Sequence, residues 1–376
     1  MKILVIQYDL GTGGVERSLI NFLNEIDYNK HTVDLYLYNW SGEMLKSINP
    51  NVICINRDVG SLNNDCESDK KQKLMTRLRA FAFKYIPFLW KYKFAHYDNV
   101  FKNIHFNEHY DIAIVYHGLY TNLLYLLADK VNADQKIAIC HGDFAFVNTN
   151  KKMMVKLWER LDTLLFVSKS CEDKFKLMSP NAKVKTGYFY NPQNYEQILS
   201  KSETEEQMFD ENKFNIVSVS RLSEEKAYFR TLKVLHKIHK NGYQFHYHII
   251  GGGKLQKDIE EYVVKHKMKD YVTIYGNKNN PYPYIKSADL FYLGSYNEAA
   301  PMVLAEAMCL GTPIISTDTC SAKEILKDYG IVVDNNKKAI YNGLLCAIKG
   351  CNKSKKDPKF FNENDKHSLI NYLNLR

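Results

Sequence analysis

The chain has 376 residues, which at about 150 residues per domain favours two to three packed cores. Hydrophobic residues at 45% and charged residues at 25%, with only 9 prolines and 18 glycines, exclude a long disordered or collagen-like tract. The formal charge of +9 admits nucleic acid, an anionic membrane face or an acidic small molecule as partner, and its distribution along the chain has to separate them. No window reaches the 18 or so uninterrupted apolar residues of a spanning helix, and the opening MKILVIQYDLGTGG runs into a glycine loop where a signal peptide would be cleaved. The eight cysteines form no CxxC pair and are expected to be reduced, in a cytoplasmic setting.

The first elements alternate. KILVIQY reads as a short buried strand, DLGTGG as a glycine turn, and Val15, Leu19, Phe22, Leu23 and Ile26 fall at helical spacing. Strands recur at 32 to 38, 111 to 116, 136 to 140 and 163 to 168, each followed by polar or helix-forming residues. Residues 200 to 213 lack apolar periodicity and, following the turn signal Asn191-Pro192, read as a solvated connector. Beyond it the alternation restarts with FNIVSVS, a helix to Lys240, FHYHII, a helix over 254 to 266, YVTIY, DLFYL, a helix from Pro301, PIIS and a last helix after Asn335. The pattern predicts an α/β fold of two Rossmann-like, doubly wound parallel-sheet domains, with ligand at the crevice between them. The expected domains are 1–190, a linker 191–213, a second domain 214–355, and a C-terminal helix in 356–376 packing back on the first.

Several residues carry charge chemistry. The GTGG turn is a poor dinucleotide fingerprint, because Glu16 takes the last glycine position and no acidic residue closes the second strand. Gly13 and Gly14 could let backbone N–H groups approach an anion, or could serve a turn that needs positive φ. Arg221 and Lys226 stand five residues apart between a strand end and a helix start. Glu298 and Glu306 lie eight apart around Pro301, where the amides of Ala300, Met302 and Val303 would sit at the positive end of a helix. Alone, each pair is as compatible with surface charge as with a site. His141 and His117 both follow strands and compete for one role, against the alternative of a histidine bonded to backbone.

GGVE, RLSEEK, IIGGGKL, YGNKNNPYPYIKSADL and Glu298-x7-Glu306 followed by GTPII, in that order, resemble glycosyltransferase family 4, retaining enzymes of GT-B architecture. The likeness covers nearly the whole chain and is most specific over residues 214 to 326. It implies that Arg221 and Lys226 neutralise a donor diphosphate, Glu306 grips the ribose, Glu298 contacts the transferred sugar and His141 lies near that sugar. It implies donor contacts from Gly13, Gly14, Ala300, Met302, Val303, Gly276 and Asn277; Glu324 also matches a family glutamate, and a structural helix role is expected for it. Ala299-Ala300 stand where the family usually has Gly-Phe. The expected activity is hexosyl or N-acetylhexosaminyl transfer from a nucleotide diphosphate sugar, with UDP the expected nucleotide, to a lipid-linked or surface-polysaccharide glycan such as a capsule. Neither metal nor other cofactor is expected. An epimerase of the same architecture and an inactive nucleotide-sugar-binding partner of another transferase are the alternatives.

From Lys70 to Tyr97 the chain has eight basic residues and no acidic one. Lys70, Lys71, Lys73, Arg77, Arg79 and Lys84, interleaved with Leu74, Leu78, Phe81 and Phe83, compose a helix for an anionic membrane surface. A core helix with snorkelling lysines is the other reading. No nucleic-acid module accompanies the run. The expectation is a peripheral protein of the inner membrane face.

Overall fold

The computed structural model describes residues 1–56, 96–147, 150–203, 206, 208–351, 356–361 and 367–376. It divides into two compact units, Met1–Pro192 with Lys366–Arg376, and Gln193–Asp365.

The first unit is built on β1 (Lys2–Gln7), β2 (Thr32–Leu37), β3 (Ile53–Cys54), β4 (His109–Val115), β5 (Asn132–Cys140), β6 (Thr163–Phe166) and β7 (Lys185–Tyr188). They form one sheet in the order β3-β2-β1-β4-β5-β6-β7 with every pairing parallel. Ile3, Leu4, Val5 and Ile6 are fully buried, as a central strand covered on both faces requires. α1 (Gly14–Glu25) covers the sheet with Leu19, Phe22 and Leu23, and α2 (Thr121–Lys130), α3 (Lys151–Trp158) and α4 (Lys169–Met178) follow β4, β5 and β6. Asn150 and Ser168 cap α3 and α4 by accepting from the amides of Met153 and Cys171.

The second unit opens with α5 (Tyr195–Ser202), then β8 (Asn215–Val219), α6 (Tyr228–Lys240), β9 (His246–Ile250), α7 (Gln256–Lys265), β10 (Val272–Gly276), α8 (Tyr282–Ser287), β11 (Leu290–Leu293), α9 (Met302–Cys309), β12 (Ile314–Thr317), α10 (Ala322–Leu326), β13 (Ile331–Val333) and α11 (Lys337–Ile348). Its sheet runs β10-β9-β8-β11-β12-β13, again parallel throughout. One core joins Leu232, Leu235, Ile259 and Leu344 to the sheet, and another joins Ile198, Ile285, Leu304 and Leu326 to it. In both units the strand order reverses beside the first strand, so the switch points lie at β1/β4 and β8/β11.

The boundaries differ from expectation. The expected linker 191–213 contains α5, capped by Asn194, and Ile198 of α5 and Phe209 beyond it are buried in the core of the second unit. The short strands β3, β7 and β13 were not visible as apolar runs, because they are two to four residues long. The C-terminal segment is shared. Lys356 and Lys359 donate backbone hydrogen bonds to Gly311 and Met308, while α12 (Leu369–Tyr372) belongs to the first unit with Leu369, Ile370 and Leu375 buried.

Candidate active site

In the second unit the site residues gather on the loops that leave β8 and β11, the neighbouring strands at the switch point. Arg221 follows β8 and is exposed, and its charge acts on the Glu225 carboxylate. Its backbone is seated against the glycine loop after β9. Leu222 N–H donates to Gly252 O at 2.8 Å, and a Cβ on Gly251 (φ +138°) would lie 2.0 Å from Ser220 O. Only glycine allows that approach. Ala227 adopts a left-handed conformation (φ 56°, ψ 33°) between a 3-10 turn, Glu224–Lys226, and α6. Lys226 Nζ lies 2.5 Å from Glu298 Oε1, with only 15% and 12% of the two side chains exposed. Ser295 Oγ donates to the same carboxylate oxygen at 2.7 Å.

The loop carrying Glu298 is held from behind. Arg230, 5% exposed on α6, donates from Nη2 to Gly294 O at 2.6 Å and from Nη1 to Asn335 Oδ1 at 2.6 Å. Thr317 Oγ1 donates to Ser295 O at 2.6 Å, Asn335 Nδ2 to Tyr296 O at 3.0 Å, and Tyr296 N–H to Glu225 O at 2.7 Å. The Tyr296 ring stacks on the Arg230 guanidinium, 4.1 Å from its centre.

Pro301 is the residue before α9, with extended backbone, so Met302 and Val303 are its first turn. Glu306 is on the same helix and 2% exposed. Gly276 ends β10 with φ +67°, and Asn277 follows it beside Gly252. This half therefore offers two cations, a helix N-terminus and carboxylates, a combination suited to a phosphorylated sugar. Glu324 lies in α10.

In the first unit Gly13 precedes α1 with φ −77°, so positive φ is not the reason for that glycine, and Gly14 begins the helix. His141 follows β5. Burial first, and neighbouring His117 second, hold its imidazole well below the ordinary histidine range, so it is neutral, and its Nε2 has no partner. His117 follows β4 and meets Tyr120 edge to face at 4.7 Å. Tyr8 stacks between Tyr38 and Tyr120, with ring centres at 5.2 and 4.6 Å. Lys70, Lys71, Lys73, Arg77, Arg79 and Lys84 lie outside the described residues. Among the described residues no group of three or more His, Cys, Asp or Glu could hold a metal ion, and no helix is long and apolar enough to cross a membrane.

Sequence reasoning missed Arg230, Ser295, Thr317 and Asn335. Their roles depend on the neighbouring of α6, β11, β12 and the segment after β13, which no local spacing reveals. The one available signal was an arginine on the apolar face of α6, four residues after Lys226.

Residues 200–364 match the family of glycosyl transferases group 1. Among curated relatives, the amylovoran biosynthesis glycosyltransferase AmsD of Erwinia amylovora is 27% identical over 139 residues, covering 37% of this chain and 39% of that protein. The putative colanic acid biosynthesis glycosyltransferase WcaL of Escherichia coli is 27% identical over 136 residues, 33% of this chain and 34% of that protein. A Campylobacter jejuni N-acetylgalactosamine-N,N'-diacetylbacillosaminyl-diphospho-undecaprenol 4-alpha-N-acetylgalactosaminyltransferase is 27% identical over 200 residues, 52% and 53% respectively. The chain thus spans from about a third to about a half of the length of these curated relatives. Two solved structures share the fold. Anabaena HepE in complex with UDP has a TM-score of 0.62 at 16% identity, covering 95% of this chain and 92% of that one. The lipopolysaccharide outer core galactosyltransferase WaaB has 0.60 at 17%, covering 100% and 97%. The match to the glycosyl transferases group 1 thus falls on the second unit, the one that carries the Lys226–Glu298 pair.

Proposed function

We propose that the chain is a retaining glycosyltransferase that moves a hexosyl or N-acetylhexosaminyl group from a nucleotide diphosphate sugar to a lipid-linked or surface-polysaccharide glycan. The observation that carries this is the 2.5 Å pair of Lys226 and Glu298, two largely buried charges at the switch point of a parallel sheet. Breaking a bond between an anomeric carbon and a phosphate oxygen develops negative charge on the leaving diphosphate. Arg221, Lys226 and the amides of Met302 and Val303 are the groups that neutralise it. Glu298 accepts hydrogen bonds from hydroxyls of the transferred sugar, and Glu306 from those of the ribose. Attack by the acceptor hydroxyl on the face the diphosphate leaves, with a diphosphate oxygen taking its proton, retains the anomeric configuration. His141 serves the transferred sugar as a neutral hydrogen-bonding group. No divalent cation enters this scheme, in which Arg221 and Lys226 supply the positive charge for the leaving group.

UDP is the nucleotide of this reading, supported by the UDP bound to Anabaena HepE. A glycan acceptor is supported by the amylovoran and colanic acid relatives, and a lipid-linked one by the Campylobacter transferase named for a diphospho-undecaprenol. The protein works at the inner membrane face, with Lys70, Lys71, Lys73, Arg77, Arg79 and Lys84 as its contact. Replacing the first five by Gln weakens sedimentation with anionic vesicles and leaves nucleotide binding intact; unchanged sedimentation removes the membrane contact.

Calorimetric titration with UDP, GDP, ADP and CMP, beside an Arg221→Ala control, tests the donor site. One diphosphate binds, and binds less well to the variant. Absence of binding by all four overturns the transferase reading.

A further inference from the structure

We infer that Arg230 is a positioning residue that holds the Gly294–Glu298 loop, and through it the Glu298 carboxylate, in the geometry donor chemistry requires. The inference rests on the transferase reading and adds to it a residue outside the expected site.

A guanidinium at 5% exposure is costly unless charge or hydrogen bonds compensate it. Arg230 forms no ion pair with any described residue, and its partners are neutral: Gly294 O at 2.6 Å, Ser295 O at 3.4 Å, Asn335 Oδ1 at 2.6 Å and Asn335 O at 3.2 Å. Nε has no partner. Burial pulls its pKa below the ordinary arginine value. A leucine or methionine on this face of α6 would avoid that cost but leave the carbonyls of Gly294 and Ser295 without this donor. The planar fork supplies it, because one group spans two successive carbonyls of the loop and the Asn335 side chain that also holds Tyr296 O. Tyr296 lies over the guanidinium plane and closes it off. Ser295, whose carbonyl is held, donates a hydrogen bond from its hydroxyl to Glu298. The chain of contacts therefore runs from Arg230 through the loop backbone to the carboxylate.

The test uses the full chain with Arg230→Lys, which keeps the charge and loses the fork, and Arg230→Met. Hydrogen exchange by mass spectrometry reads the loop directly. Exchange in the peptide containing Tyr296–Glu298 rises about tenfold or more in both variants, while β8 and α7 exchange as before. If Arg230→Met does not fold, Arg230→Lys carries the comparison. Nucleotide release from UDP-glucose, UDP-galactose, UDP-GlcNAc and UDP-GalNAc reads the chemistry. With the donor turned over, kcat falls roughly 30-fold and KM stays within about threefold, as displacement of a catalytic group predicts. In a Glu298→Gln background Arg230→Lys costs less than about threefold, since the group it positions is gone. Unchanged loop exchange, or an equal kcat loss in both backgrounds, overturns the inference. If the unaltered protein turns over none of the four donors, the transferase reading fails for them, and the exchange result alone decides whether Arg230 holds the loop.

Discussion

The two units share one architecture and put different chemistry at the same place in it. At the carboxyl ends of β8 and β11 stand an exposed arginine, a buried ion pair and a loop held by a buried guanidinium. At the equivalent edge of the first unit, after β1, β2, β4 and β5, stand a tyrosine stack and histidines, one of them, His141, neutral with an unpartnered nitrogen. A doubly wound sheet determines where a ligand edge lies, because the strand order reverses there and leaves a gap between diverging loops. The side chains on that edge determine what it can hold. The second unit presents charged groups there, and the first presents flat rings.

The contrast breaks most readily at Lys226. Lys226→Ala leaves the largely buried Glu298 carboxylate with the Ser295 hydroxyl in place of its cation, so turnover falls by about 10^3 and unfolding free energy by about 2 to 3 kcal/mol. Denaturant unfolding with steady-state turnover checks both, and a variant with normal values would remove the charged site from the second unit. The next effect is on stability in acid. His248, 4% exposed, is bonded to Asn215 and Tyr275 and stacked on Phe209, and burial lowers its pKa from 6.5 to about 3. Below pH 6.5 the unfolded chain takes up a proton that the folded chain refuses, so stability is lost as pH falls from 6.5 towards 3, by roughly 3 kcal/mol or more in full. His248→Gln flattens this dependence between pH 6.5 and 4 in melts. His141→Gln flattens it in the first unit, whose own imidazole is shifted in the same direction.

Smaller effects test the proposed placement of the donor in the second unit. Glu306→Ala weakens nucleotide binding by about 1 to 3 kcal/mol through a lost charged hydrogen bond, seen by calorimetry. Unchanged affinity removes Glu306 from the ribose. Arg221→Ala lowers diphosphate affinity about tenfold and leaves the melting temperature alone, as expected of an exposed cation whose partner is the ligand. A fall in melting temperature without ligand would instead make Arg221 a structural residue.

Much of this was readable in the chain. Apolar runs such as ILVI at 3 to 6, alternating with helical spacing, specify buried parallel strands and the helices over them, because burial on both faces leaves that periodicity as its trace. Arg221, Lys226, Glu298 and Glu306 were visible because each stands at a fixed short offset from a strand end or a helix start. The triple glycine after β9 was visible as a motif, yet the reason for Gly251, the approach of the Ser220 carbonyl, lies 31 residues upstream and needs the fold to be seen.

Other features have no local trace. That β8 pairs with β11, bringing Lys226 to Glu298 across 72 residues, follows from strand order, and many orders satisfy the same alternation. Arg230 reads locally as a charge on a helix, and becomes a loop clamp because Gly294, Ser295 and Asn335 arrive from distant elements with carbonyl oxygens that need donors. Helix α5 was hidden by a polar neighbourhood, and its burial depends on the surface that α8 and α9 present to it. Short-range patterning sets the kind of element and the chemistry at its ends, since both act within a few residues. The pairing of elements, and with it the partners of every buried charge, depends on long-range packing, where a contact is specified by two surfaces at once.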